Sequence, residues 1–103
     1  MAAEISEAQA ERLLMADLQG VEAAVRRLIR VPLTQNQFDA LVSFTFNLGA
    51  GRLQASRLRM VINRGEYAAA PAEFRRWVVG GGRKLPGLVA RRRAEIELYN
   101  AVG

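Results

Sequence analysis

The sequence predicts an all-α fold: a compact bundle of about five helices around a buried central helix, with one long helix at the N-terminus. Three observations predict it. Apolar residues recur at helical spacing along most of the chain, no segment alternates as a half-buried strand does, and the stretch 33–51 is apolar on almost every side. At 103 residues, half of them apolar, the chain can build one core, so residues 1–103 are expected to form a single helical domain.

The first helix is predicted to run from about residue 7 to residue 30. A capping box of Ser6 and Gln9 begins it, and Pro32 stops it. Such a helix is roughly 36 Å long, which exceeds the width of a compact domain of this size. Its N-terminal end is therefore expected either to project, offering an apolar surface to a protein partner or a second copy, or to pack on the C-terminal helix. The apolar residues near that end are Ile5, Leu13 and Leu14.

The stretch 33–51 is predicted to be the central helix. Thr34 and Gln37 form a capping box at its start, and residues 49–51 (Gly-Ala-Gly) end it, because glycine readily adopts the left-handed conformation of a helix terminus. An apolar helix of this kind is expected to be wrapped by other helices. Asn47 is the one residue near its end that does not fit a core position, and two roles stay open for it: capping the helix or contacting a ligand.

Three shorter helices are predicted after the central one. The first covers residues 53–62, and the second begins near Pro71 and includes Trp77. Residues 80–82, all glycine, are expected to break any helix, and a last helix then covers residues 88–99. The basic residues of that helix are expected to point largely outward, and they are Arg91, Arg92 and Arg93.

The composition excludes several kinds of site. The chain has no cysteine and no histidine, which removes disulfides, thiolate nucleophiles and the commonest zinc ligands, so neither a metal nor a cofactor is expected. No apolar run approaches the roughly 20 residues of a membrane span. The first residues do not form a signal peptide, so the chain as encoded is expected to be cytoplasmic.

The basic residues are concentrated in one half of the chain. The net charge is +5, and residues 52–93 hold eleven basic residues against two acidic ones, Glu66 and Glu73. This distribution suits an acidic partner such as a cell-wall polymer, although an ordinary solvated surface explains it equally well. The few aromatic residues outside the central helix argue against nucleic acid as that partner.

Carboxylates are the acid–base catalysts that such a composition leaves. A pair of them can hydrolyse a glycosidic bond, but the catalytic acid needs an apolar pocket that raises its pKa. None of the ten Asp and Glu residues has an apolar setting that can be read from the sequence, and structural roles are expected for them, such as arginine pairing of Asp39 and Glu95. From the residues alone, no active site is predicted.

Several segments resemble phage endolysins of the T4-type lysozyme family. They are residues 5–11 (ISEAQAE), 33–44 (LTQNQFDALVSF), 46–49 (FNLG), 63–67 (NRGEY), 74–77 (FRRW) and 85–95 (LPGLVARRRAE). The similarity runs in order through nearly the whole chain. It implies a peptidoglycan muramidase scaffold, in which a helical lobe and a smaller β-rich lobe enclose a cleft for the glycan strand, and this chain resembles the helical lobe.

The resemblance also implies which residues face that cleft. Asn47 matches a carboxamide position that faces the saccharide, and Phe44 matches a neighbouring apolar position. Arg76 and Trp77 match the start of another cleft-side segment. The family's catalytic glutamate, with its assisting aspartate and threonine, lies upstream of the segment that resembles residues 5–11, so no catalytic residue is expected in this chain.

Two functions are therefore expected. In the first, the chain is a lysozyme-family lobe that contacts peptidoglycan weakly, acts at the bacterial cell wall, and does not hydrolyse the glycan by itself unless another chain supplies the second lobe. In the second, it is a truncated phage lysozyme that grips a protein partner, such as a host factor, through its basic or apolar surface.

Overall fold

The computed structural model describes residues 7–102 of the chain. The side chains of four residues near its start, Glu7, Ala10, Glu11 and Leu13, are outside that description, as are Ile5 and the predicted cap at Ser6. Within these limits the chain forms six α-helices, one short 3-10 helix and one β-hairpin. The predicted all-α fold class is confirmed.

The elements follow one another through short connections. The helices are α1 (Glu7–Leu28), α2 (Gln35–Leu48), α3 (Ala50–Ala55), α4 (Arg57–Asn63), α5 (Ala70–Phe74) and α6 (Pro86–Asn100). The 3-10 helix, Tyr67–Ala69, leads into α5. The strands β1 (Val79–Gly80) and β2 (Arg83–Lys84) pair antiparallel before α6.

Helix α2 is the central element and packs against α6, α1 and α3. Its predicted capping box is present: the Gln37 amide donates to Thr34 Oγ1 at 3.0 Å, and the Thr34 amide donates to Gln37 Oε1 at 2.8 Å. Leu41 and Phe44 have no exposed surface. Phe46, however, is 40% exposed, so one side of the helix faces outward rather than being enclosed as predicted.

The predicted third helix is in fact two helices, α3 and α4, separated by Ser56. The Ser56 backbone is extended, with φ −81° and ψ 150°. Its hydroxyl accepts from the Arg59 amide at 3.1 Å and donates to the Leu53 carbonyl at 2.7 Å. A buried serine cap therefore restarts the helix without any glycine or proline at the junction.

The segment around the glycines also differs from the prediction. Helix α5 ends at Phe74, so Trp77 lies in the connection that follows rather than in a helix. Residues 80–82 do break the helical structure, but they form part of a hairpin in which Gly81 (φ 59°) and Gly82 (φ 80°) make the turn. Two positive φ angles are the mark of a type I′ turn, which favours glycine. Strands of two residues are too short to produce a visible alternation in the sequence.

Helix α1 ends at Leu28 rather than at residue 30, and it packs on α2 and α3. Near its start, Leu14 is 49% exposed and Met15 is 59% exposed. The radius of gyration is 14.9 Å, which exceeds the about 13 Å of a compact 100-residue domain. The described part of the predicted apolar end is thus open to solvent.

Candidate functional site

Asn47 lies in the last turn of α2, and its side chain is exposed. Its Oδ1 accepts a hydrogen bond of 2.8 Å from the NH2 group of Arg92. The capping role is taken by Gly49, which has φ 98° and donates its amide to the Thr45 carbonyl at 2.7 Å. Because a guanidinium only donates, its partner must be the amide oxygen, and the Asn47 amide nitrogen is left to bond another group.

The arginine that holds Asn47 is part of a buried ion pair on α6. Arg92 is 1% exposed and Glu95 is 2% exposed. Arg92 Nε lies 2.7 Å from Glu95 Oε1, and Arg92 NH2 donates to Glu95 Oε2 at 3.1 Å. Ser43 of α2 donates its hydroxyl to the same carboxylate oxygen at 2.6 Å. These contacts tie α6 to the central helix directly beneath Asn47.

The prediction that Arg92 points outward is therefore wrong, whereas the structural pairing predicted for Glu95 is present. Arg92, Ile96 and Tyr99 are spaced by four and three residues and share the buried face of α6. That spacing was readable in the sequence. The spacing alone does not predict burial of Arg92, because arginine is rarely buried unless it is paired. Asn47, which accepts from Arg92, and Ser43, which donates to Glu95, both lie in another helix.

Burial shifts the pKa of both members of the pair. Desolvation raises the pKa of the Glu95 carboxyl, although the Ser43 hydrogen bond and the Arg92 charge act in the opposite direction. Desolvation likewise lowers the pKa of the Arg92 guanidinium, opposed chiefly by the Glu95 charge. In both groups the removal of water is the larger effect, as expected for charges taken into a low-dielectric interior.

Trp77 and Phe44 flank the same arginine. Arg92 NH1 donates to the Trp77 carbonyl at 3.4 Å, and the Arg92 guanidinium carbon lies 5.3 Å from the centre of the Phe44 ring. The Phe44 and Trp77 rings meet edge to face, with centroids 5.6 Å apart and an interplanar angle of 88°. Trp77 is half-buried, whereas Phe44 has no exposed surface. Phe44 therefore supports the tryptophan and the arginine from beneath and does not reach the surface.

Arg76 stands apart from this cluster. Its side chain is 62% exposed and its Nε lies 3.1 Å from Oε1 of Glu73, one helical turn earlier in the chain. Three of the four predicted site residues are thus brought together around Arg92, and Arg76 borders them as the sequence neighbour of Trp77.

Each buried carboxylate of the described residues forms an ion pair with an arginine. Glu95 is paired with Arg92, and Glu73 is paired with Arg76. Asp39, for which an arginine partner was predicted, instead accepts a hydrogen bond of 2.8 Å from Gln35. Although the pKa of Glu95 is raised, this group is sealed from solvent and cannot deliver a proton to a substrate.

Two further kinds of site have no candidates in the part of the chain that the structure describes. Among the side chains that the structure describes, no group of three or more acidic ones is placed to hold a metal ion. None of the helices described is both long and apolar enough to cross a membrane.

Comparison with known proteins identifies relatives over almost the whole sequence. The sequence pattern of the family described as Phage lysozyme matches residues 1–95. The endolysin of Bacillus phage PZA is 45% identical over 97 residues, which cover 94% of this chain and 38% of that protein. This chain therefore spans well under half the length of that relative.

Two solved structures share the fold. The muramidase domain of SpmX from Asticaccaulis excentricus superposes with a TM-score of 0.88 at 35% identity, covering 98% of this chain and 71% of that one. The endolysin from Escherichia coli O157:H7 phage FAHEc1 gives a TM-score of 0.83 at 38% identity, covering 97% of this chain and 66% of that one. With a family match over residues 1–95 and structural agreement at this level, the chain belongs to the phage lysozyme family.

Proposed function

We propose that this chain is the glycan-contacting helical lobe of a peptidoglycan muramidase. The observation that supports it best is the hydrogen bond from buried Arg92 to Asn47, which fixes the direction of an exposed carboxamide. The free amide nitrogen of Asn47 can donate to a carbonyl acceptor such as the acetamido group of a sugar. Two similar proteins are named endolysin and muramidase domain, which agrees with such a substrate.

The other predicted residues have distinct roles in this proposal. Trp77 offers a half-buried indole, and its carbonyl accepts from the same Arg92 that holds Asn47. Phe44 keeps that ring in place by its edge-to-face contact. Arg76 offers an exposed guanidinium that can meet an acidic group of the cell wall. The bacterial cell wall is then the place where the lobe acts.

We further propose that these residues do not hydrolyse the glycan by themselves. A glycosidase needs an accessible carboxylic acid and a second carboxylate across the scissile bond. The buried carboxylates of the described chain, Glu73 and Glu95, are both held by arginine. The exposed carboxylates of the described chain, such as Asp39 and Glu66, lie in water and lack the apolar pocket that a catalytic acid needs. Carboxyl groups outside the described residues would therefore supply the chemistry.

Sedimentation with purified cell walls tests the binding role. The Asn47→Asp variant keeps an oxygen for Arg92 but removes the amide donor, so we expect a weakening of about ten-fold, corresponding to one lost hydrogen bond of about 1.4 kcal/mol. The matched control is Asn100→Asp, which makes the same charge change at an exposed site at the end of α6. Equal weakening in both variants would mean that charge alone governs binding, and the glycan role of Asn47 would be rejected.

A turbidity assay on the same walls tests the catalytic part. We expect no clearing by this chain, whereas an intact phage lysozyme used as a positive control should clear the suspension. Clearing by this chain that is lost in Glu73→Gln or Glu95→Gln would identify a described carboxylate as the catalytic group and would contradict the proposed dependence on outside groups.

Exposed apolar residues support a second candidate, a protein-binding module. Leu14 and Met15 are 49% and 59% exposed near the start of α1, and Phe46 is 40% exposed at the end of α2. Apolar surface of this kind favours association with a partner or a second copy. Light scattering over a range of concentrations separates the candidates. A monomer at every concentration, with wild-type behaviour of Met15→Ser, would count against self-association.

A further inference from the structure

A pocket separate from the residues around Asn47 lies between the connection that follows α5, strand β2 and helix α6. It has a volume of about 300 Å³, and its walls do not include Asn47, Phe44, Arg76 or Trp77. It is therefore distinct from the proposed glycan site. Arg92 borders both, because its side chain lines this pocket while its NH2 group holds Asn47.

Besides Arg92, three basic side chains from three different elements line this pocket. Arg75 comes from the residue after α5, Lys84 from β2 and Arg93 from α6. All three are exposed, and none of them forms an ion pair with a described residue. Like charges gathered around one cavity repel each other, so their convergence does not stabilise the fold. An anionic ligand would remove that repulsion.

The floor of the pocket is aliphatic. Val78 lies on one side, and Val89 and Ile96 on the other. Val89, Arg93 and Ile96 are spaced by four and three residues, so α6 presents a branched apolar surface and a guanidinium on one face. A bare inorganic anion would leave this apolar surface in contact with water, whereas a ligand with methyl groups would cover it.

The charge and the size of the pocket restrict the ligand further. Glu97 is the one acidic residue in its lining, and it would disfavour a dianion relative to a monoanion. A volume of about 300 Å³ is at the lower end of the range for small-molecule sites, which suits one or two amino-acid residues. Beyond Lys84 and Arg93 lies a shallower surface with Pro86 and Ala90. In a peptide whose last residue fills the pocket, the residue before it could extend over this surface.

We infer that this pocket binds the terminal carboxylate of a short peptide that ends in an aliphatic residue. Lys84, Arg75 and Arg93 hold the carboxylate by charge-assisted hydrogen bonds. The terminal side chain packs on Val78, Val89 and Ile96. This role adds a peptide-recognition site to the lobe and does not depend on the glycan contact of Asn47.

Titration of the ¹⁵N-labelled chain with acetyl-glycyl-valine, followed by amide chemical shifts, tests the proposal. We expect saturable shifts at residues around the pocket with a dissociation constant of about 1 mM, typical of a small ligand with a few contacts. Acetyl-glycyl-valine amide lacks the carboxylate and should bind about ten-fold more weakly or not at all. Acetyl-glycyl-glycine keeps the carboxylate but lacks the methyl groups and should also bind about five-fold more weakly.

Charge variants assign the binding to this pocket. Lys84→Gln and Arg93→Gln should each weaken the binding of acetyl-glycyl-valine by about five- to ten-fold. Arg83→Gln is the matched control, because Arg83 is an exposed residue of the same strand as Lys84 but does not line the pocket. It should change the affinity by less than about two-fold.

Three outcomes would overturn the inference. The first is equal binding of the dipeptide and its amide. The second is binding of inorganic phosphate as tight as that of the dipeptide, which would mean that the pocket selects charge alone. The third is an equal loss of affinity for acetyl-glycyl-valine in Lys84→Gln and Arg83→Gln. Wall sedimentation of Lys84→Gln is measured in parallel, so that failure of this site and failure of the proposed glycan site remain distinguishable.

Discussion

The Arg92→Met variant measures how strongly the buried ion pair supports the fold. Methionine keeps much of the aliphatic volume but removes the guanidinium, so Glu95 is left with Ser43 at 2.6 Å and the more distant Arg91 at 3.8 Å. Removing one partner of a buried pair costs about 3–5 kcal/mol, because an uncompensated charge remains. A domain of this size is stable by about 5–15 kcal/mol in total. The variant is therefore expected to be strongly destabilised at neutral pH.

The pH dependence of Arg92→Met follows from the burial of Glu95. Without its partner, Glu95 can avoid the buried charge by taking up a proton. Its ordinary pKa is 4.5, so protonation at pH 7 costs about 3.4 kcal/mol at 1.36 kcal/mol for each pH unit. At pH 5 the cost falls to about 0.7 kcal/mol. Because burial raises the folded-state pKa of Glu95 above the unfolded value, the stability of Arg92→Met should increase as the pH falls from 7 toward 5.

Urea unfolding at several pH values, followed by circular dichroism, provides the measurement. The control is Arg91→Met, because the Arg91 side chain is 43% exposed and lies 3.8 Å from Glu95. The Arg91→Met substitution should lower the free energy of unfolding by less than about 1 kcal/mol. The free energy of unfolding of Arg92→Met/Glu95→Gln is measured at the same pH values and subtracted from that of Arg92→Met. The difference isolates the contribution of Glu95 from that of the other carboxylates. A loss below about 1 kcal/mol in Arg92→Met, or no recovery at pH 5, would refute a decisive role for the buried pair.

Three further predictions concern single residues. The pKa of Tyr99 is raised from 10.0 to about 12 by burial and by the charge of Tyr67. Its stabilising contribution is therefore complete below pH 10 and lost as the pH rises through 12, so a tyrosinate absorbance titration should show one late transition coupled to unfolding, absent in Tyr99→Phe. Ser56→Ala removes the cap of α4 and should cost about 1–2 kcal/mol in urea unfolding. Gly82→Ala, at φ 80°, should lower stability by about 1 kcal/mol in the same assay, whereas Gly81→Asn should be tolerated because asparagine suits the first position of a type I′ turn.

The elements that were predicted correctly are those with local causes. The capping box of α2 involves Thr34 and Gln37, three residues apart, and both of its hydrogen bonds are present. The end of α2 at Gly49 likewise follows from one residue's φ of 98°. The division at Ser56 was missed because serine is tolerated within helices, and its capping role becomes visible only when its backbone is seen to be extended.

The candidate site was harder to predict because its organising residue is held by distant partners. Arg92 bonds Asn47 across 45 positions in the sequence, and Ser43 bonds Glu95 across 52. Local sequence reasoning left two roles open for Asn47, and only the tertiary contact removes capping as one of them. The position of Arg92 in the buried stripe of α6 was the available signal, but a basic residue flanked by Arg91 and Arg93 is more commonly solvated.

The double variant Arg92→Met/Glu95→Gln can separate the stability of the lobe from its binding role. Glutamine keeps an acceptor for Ser43, and no charge of the pair remains buried, so most of the stability lost in Arg92→Met should return. Asn47 nevertheless lacks its donor, and its carboxamide is free to rotate. If the buried pair persists because it directs Asn47 toward a glycan, wall binding should stay about ten-fold weaker than wild type while unfolding becomes nearly normal. If wall binding and stability both returned to wild-type values, Arg92 would serve only the fold. The proposal that Arg92 orients Asn47 for glycan binding would then be rejected.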